Sequence, residues 1–195
     1  MDKLGKKIIK IKTKSKRRGQ SFKKKTLNIR NIKTKKIIEK IKKEGLTTND
    51  LLRFLSGSPN FLGVFPSDQI PSVIDSHLPI FFIVNIDSSK LPGSHWISFR
   101  IDASRIEIFD SLGFNPERWN NFPSQIINFL LRYINTHKFY GTPRLQDENS
   151  FTCGAFCIYF ILSRKTLSFS QSLQVFSSNY SENDLLVLEK IKKFF

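Results

Sequence analysis

Apolar residues along this chain follow two kinds of spacing, and the difference assigns most of its elements. Two runs are nearly unbroken, Pro79–Ile86 and Cys153–Leu162. The first is short and rich in β-branched and aromatic side chains, which predicts a central strand buried on both faces. The second is longer and follows a polar loop, which predicts a buried helix. His95–Ile101 (HWISFRI) and Arg105–Phe109 (RIEIF) predict two further strands joined by a tight turn at Asp102-Ala103-Ser104. Helical spacing recurs in Pro123–Asn135, where Ile126, Ile127, Leu130, Leu131 and Ile134 share a face, and helices are also expected at Ser168–Ser177 and Ser181–Phe195. Lys138–Tyr140 reads as a short strand. Nearer the start, Thr48 or Asn49 caps a helix carrying Leu51, Leu52, Phe54 and Leu55, which Gly57-Ser58-Pro59 stops. Asn60–Pro66, punctuated by Gly63 and Pro66, reads as an irregular, partly buried connector. This order predicts an α+β fold, a small mixed sheet flanked by helices.

Charge divides the chain differently. Residues 1–44 hold 19 of the 32 Lys and Arg but only 3 of the 16 acids, so the whole formal excess of +16 lies there. The remainder is neutral. Two regions follow: a basic N-terminal arm, 1–44, and a folded domain, 45–195. Residues 1–35 repel themselves and have little periodicity, which predicts no stable fold when unbound. Within the arm, Ile37, Ile38 and Ile41 share a face, so Thr34–Lys43 can form a short basic helix. Lys14-Ser15-Lys16-Arg17-Arg18 and Lys23-Lys24-Lys25 suit nucleic acid, through phosphates and without sequence preference. A targeting signal or a removable propeptide has the same composition. No apolar run approaches the roughly 18–20 residues that span a bilayer, so no membrane partner is expected.

The two cysteines, Cys153 and Cys157, lie four apart in one apolar segment, a spacing poorly suited to a disulfide. A disulfide-stapled secreted scaffold is excluded, and a reducing compartment fits. Cys153 stands where polar loop gives way to apolar helix, a place where the helix dipole favours a thiolate. Gly154 beside it would let a substrate backbone approach. Cys157, one turn deeper, reads as core. Of three histidines, His77 and His137 flank elements and read as surface or capping residues. His95 follows Pro92-Gly93-Ser94 and opens a strand, so its ring is held yet accessible. Asp110 ends the next strand; if the two strands pair antiparallel, His95 and Asp110 meet at one sheet edge, as a triad requires. Glu107 is the rival acid, placed mid-strand. Gln146, seven residues before Cys153, offers an amide donor to an oxyanion beside the Cys153 backbone N–H. Each alone has an ordinary structural explanation; their joint order suggests cysteine proteolysis.

Asn60–Phe65 (NFLGVF), Gly93–Phe99 (GSHWISF), Phe109–Phe114 (FDSLGF) and Gln146–Cys157 (QDENSFTCGAFC) occur in sequence. Together they resemble the adenovirus protease family and the related ubiquitin-like-protein proteases, over roughly residues 46–165. The resemblance implies a papain-like (adenain-like) cysteine protease fold, with Cys153 as nucleophile, His95 as base, Asp110 orienting it and Gln146 at the oxyanion. Asp110 departs from the Glu usual in adenovirus enzymes and matches the SUMO-type relatives. Adenovirus enzymes take an activating peptide through a disulfide. Only Cys157 is spare here, at a buried helix position, so covalent activation is not expected. No cofactor is required for the chemistry, and an activating peptide or DNA is the class the resemblance implies.

A compact protease with a basic arm looks like those of virophages and Polinton-type elements. That implies cleavage of viral capsid and core precursors, within the virion and the infected cell, nuclear or cytoplasmic. Two other readings stand beside it: a SUMO- or ubiquitin-deconjugating protease, and a catalytically inert nucleic-acid-binding structural protein.

Overall fold

The computed structural model describes residues 31–71, 78–115 and 122–194. The expectations for residues 1–30 and for His77 lie outside the described residues. Five strands form one mixed sheet in sequence order: β1 (Phe61–Pro66), β2 (Ile80–Asn85), β3 (Trp96–Ile101), β4 (Arg105–Phe109) and β5 (Lys138–Tyr140). The outer pairs, β1 with β2 and β4 with β5, are parallel, and the central pairs are antiparallel.

Both faces of this sheet are covered, which accounts for the unbroken apolar run of β2. Ile80, Phe82 and Val84 join Ile97, Phe99, Ile106 and Ile108 on one face, beneath Ile126, Phe129 and Leu130 of α3 (Ser124–Leu131). Phe81, Ile83 and Phe109 face the other way, onto α4 (Cys153–Ser163). α4 is apolar all round, as a helix enclosed on every side must be. Phe109 stacks on Phe160 at 4.6 Å between ring centroids, with Phe156 at 6.5 Å. α6 (Tyr180–Lys192) packs Val187, Leu188 and Ile191 into the same cluster, and the short α5 (Phe169–Leu173) borders it.

Three features differ from the sequence reading. The connector before Pro66 is the edge strand β1. Its register shifts between Phe61 and Gly63, and Gly63 has φ +144°. An edge strand tolerates both irregularity and proline, so the punctuation that suggested a loop marks the sheet border instead. The folded body also starts before residue 45. Residues 31–44 form a helix, α1, in which Ile41 is fully buried and Ile37 and Ile38 pack against the α4 cluster. Its apolar stripe outweighs the charge repulsion that suggested an unstructured segment through residue 35. Finally, α2 (Thr48–Leu55) is capped one residue earlier, by Thr47. Thr47 Oγ1 accepts from Asp50 N, and Asp50 Oδ2 accepts from Thr47 N at 3.1 Å. The same carboxylate receives Lys40 Nζ at 2.7 Å, tying α1 to α2.

Candidate active site

Pairing of β3 with β4 sets Ser98 opposite Phe109, so His95, just before β3, and Asp110, just after β4, reach the same end of the sheet. His95 Nε2 donates to Asp110 Oδ1 at 2.7 Å, and both residues are buried. The carboxylate is itself anchored. Oδ1 also accepts from Leu112 N at 2.9 Å, while Asp110 N donates to Thr142 Oγ1 at 3.0 Å. With Nε2 committed to Asp110, the other ring nitrogen, Nδ1, is the one free for the Cys153 thiol, the imidazole's second polar partner. Burial alone would lower the His95 pKa. The hydrogen bond to Asp110, then the bond to Cys153 and the charges of both, outweigh it and push the value up to about 10.

Cys153 is the first residue of α4 and is 8% exposed. Its sulfur meets the cleft at the end of the helix where N–H groups lack intrahelical acceptors. Gly154 has a different role from the one its sequence position suggested. A Cβ there would lie 3.0 Å from Leu46 Cβ and 3.4 Å from Leu51 Cδ2, so the glycine admits the N-terminal segment, not a substrate. Cys157 is buried, and loss of hydration pushes its thiol well up.

Gln146 is 2% exposed and lines the same cleft as His95 and Cys153. Ser111 Oγ donates to Gln146 Oε1 at 2.5 Å, while Nε2 donates to Ser150 O at 2.9 Å and Ser150 Oγ at 3.1 Å. In this state, therefore, both donor contacts of the amide go to Ser150. The loops bearing Asp110 and Gln146 are cross-bonded, since Ser111 O accepts from Leu145 N and Gln146 N. Three of the four residues singled out in the sequence, His95, Gln146 and Cys153, thus line one cleft of about 760 Å³, and Asp110 stands behind it, bonded to the His95 ring.

One wall of that cleft was not legible in the sequence. Glu44, Gly45, Leu46 and Thr47 form it, at the end of α1. Trp96, on the same cleft, donates its indole N–H to Leu46 O at 2.9 Å. Gly45 makes the required turn at φ +75°. The rival acid is spoken for elsewhere. Glu107 is fully buried and binds Arg164 through both oxygens at 2.8 Å, with Arg100 Nη1 at 3.4 Å. His137 contacts Thr136 Oγ1 and Asp102 O, beyond the cleft lining. Among the described residues no three His, Cys, Asp or Glu side chains gather as a metal site.

The sequence profile of the family described as adenovirus endoprotease matches residues 61–179. No match was found among curated protein sequences. Among solved structures, the ASFV pS273R protease is 22% identical over 58% of this chain and 43% of its own, with a TM-score of 0.37. The chain therefore spans less than half of that protease. The SUMO protease Ulp1, with its catalytic cysteine oxidised to a sulfinic acid, is 14% identical over 80% of this chain and 82% of its own, with a TM-score of 0.39.

Proposed function

The chain belongs to the adenovirus endoprotease family of cysteine peptidases, and from that premise we propose that it is a cysteine endopeptidase working through Cys153, His95, Asp110 and Gln146. One observation carries the assignment of roles. The imidazole whose interaction with Cys153 helps raise its pKa is bonded through Nε2 to a buried carboxylate at 2.7 Å. A raised His95 favours a thiolate–imidazolium pair, the state in which sulfur is nucleophilic.

In the first step the Cys153 sulfur bonds to the scissile carbonyl carbon and the π pair moves onto oxygen. The Cys153 N–H and the Gln146 amide donate to that oxyanion. A full negative charge is a better acceptor than a hydroxyl, so it draws an amide hydrogen from Ser150 Oγ, the longer of the two Ser150 contacts. As the carbonyl re-forms, the C–N bond breaks and the His95 imidazolium proton passes to the departing amine. Water then loses a proton to His95 as it attacks the thioester, and the thiolate leaves, regenerating the pair. Asp110 holds the ring in place throughout.

The substrates proposed are capsid and core precursors of a virus-like particle. The basic arm would hold the enzyme on packaged DNA, aided by Lys33, Lys35, Lys36, Lys42 and Lys43, all exposed on α1. Any activating peptide or DNA would act beside this chemistry, not within it. Mass spectrometry of precursor fragments made by wild-type and Cys153→Ala protein is the test. Fragments that persist with Cys153→Ala sink the assignment. Preferential cutting of SUMO or ubiquitin conjugates would replace the substrate class, and an unreactive Cys153 thiol would favour an inert nucleic-acid-binding protein.

A further inference from the structure

The sequence offers Gln146 as a lone amide in a polar loop, yet a row of two hydroxyls, part-buried Ser150 and buried Thr152, connects it to a carboxylate on α6. Thr152 stands at the N-cap of α4 but makes no side-chain capping bond there. A capping threonine ordinarily turns its oxygen onto the helix N–H groups. Here Thr152 Oγ1 instead donates to Asp184 Oδ1 at 2.6 Å, and Ser150 Oγ lies 2.9 Å from Thr152 Oγ1. Thr152 and Asp184 are both buried.

Counting protons fixes the direction of this row. Thr152 has one hydroxyl hydrogen, committed to Asp184, so toward Ser150 it can only accept. The Ser150 hydrogen must therefore point to Thr152 or onward to the carboxylate, which it also bonds. That leaves Ser150 Oγ a pure acceptor toward Gln146, and it receives Nε2 at 3.1 Å. From the other side Ser111 donates to Oε1. Every donor thus points from Ser111 through Gln146, Ser150 and Thr152 to Asp184, and the amide is held with its NH2 on the Ser150 side. Burial pushes the Asp184 carboxyl up, while the bonds from Thr152 and Ser150 favour its ionised, accepting form.

The start of α6 grips this loop in other ways as well. Asn183 Nδ2 donates to Leu145 O at 3.0 Å, Ser181 Oγ donates to Asp147 Oδ2 at 3.0 Å, and Arg144 lies over the Tyr180 ring at 4.6 Å. All four α6 residues fall beyond residue 179, where the family match ends.

We propose that Asp184 is a positioning residue for the oxyanion donor: as the terminal acceptor of the Ser150–Thr152 hydroxyl row, it reinforces, together with the Ser150 carbonyl, the orientation in which the NH2 end of the Gln146 amide faces Ser150 and the attacked carbonyl. This rests on the protease reading for its purpose, though not for its detection. The test follows the Gln146 side-chain NH2 by 15N NMR in the full-length protein, assigned by its disappearance in Gln146→Ala. Hydrogen exchange of that NH2 should accelerate about tenfold in Asp184→Ala and in the isosteric Thr152→Val, and stay near wild type in Thr152→Ser, which keeps the hydroxyl. Alkylation of Cys153 by iodoacetamide develops no oxyanion, and its rate should stay within about twofold in Thr152→Val.

Unchanged exchange in Thr152→Val overturns the inference, whether or not Asp184→Ala folds. So does equal acceleration in Thr152→Ser and Thr152→Val, because a merely structural role would not sort variants by their hydroxyl. If instead wild-type Cys153 reacts no faster with iodoacetamide than an ordinary thiol, the protease reading fails, and the NMR result stands separately.

Discussion

Asp110→Asn removes the charge that the imidazole leans on while keeping the size of the side chain. In the folded protein His95 is pushed from 6.5 to about 10. At 1.36 kcal/mol per tenfold in proton affinity, that corresponds to about 5 kcal/mol of preference for the imidazolium. Stranding one member of a buried ion pair costs about 3–5 kcal/mol, the same order. The pH dependence has a definite sign. A histidine whose value is higher folded than unfolded contributes its full stabilisation below about 6.5, and loses it as pH rises through about 10. The stability difference between wild type and Asp110→Asn should therefore be greatest between pH 5 and 6.5, shrink steadily above that, and close near pH 10. Urea denaturation at half-unit pH steps reads the difference. A 13C NMR titration of the His95 ring reads the cause, its midpoint falling by more than one pH unit in the variant. A difference that is flat with pH, or that widens toward pH 10, would show that the ring is not an imidazolium held by Asp110.

Other perturbations separate chemistry from scaffold. Gln146→Ala should lower kcat by about a hundredfold with KM little changed, the pattern of a lost oxyanion donor, read by steady-state peptide cleavage. Glu107→Gln should cost about 3 kcal/mol in urea denaturation by stranding Arg164, yet leave cleavage by the folded protein at the wild-type rate. Ile41→Ala should cost about 2–5 kcal/mol, because the fully buried side chain leaves a cavity under α4; a loss below about 0.5 kcal/mol, the scale of a surface change, would return α1 to the arm. Deleting residues 1–30 should preserve cleavage while weakening DNA binding and flattening its salt dependence, measured by titration at several ionic strengths.

The residues proposed to carry the chemistry stood out as candidates because each sits at a junction between periodic patterns: His95 and Asp110 at strand ends, Cys153 where loop becomes helix. Gln146 was legible through its motif more than its local pattern, since a polar loop gives no sign that its amide is 2% exposed. What the sequence hid was mostly long-range. The Ile37-Ile38-Ile41 stripe was readable, but the burial of Ile41 depends on partners far along the chain, and the +16 of net charge over residues 1–44 gave no sign that the stripe packs into the core. Gly154 looked like access for a substrate because nothing nearby in sequence announces Leu46. β1 was missed because a glycine and a proline within six residues weigh against a strand, and only its edge position tolerates them. Asp184 follows a helix cap and looks like an ordinary surface acid until folding brings Thr152 against it.

The sulfur travels with α4 and the imidazole with β3, so their separation is set by what lies between sheet and helix, chiefly the contact of Phe109 with Phe156 and Phe160. Alignment of the proposed nucleophile and base is in that sense a property of the interior rather than of the surface that would meet the substrate. Warming such an enzyme should therefore abolish turnover over the same few degrees in which the aromatic layer loosens, leaving little range in which a well-packed molecule has already gone silent.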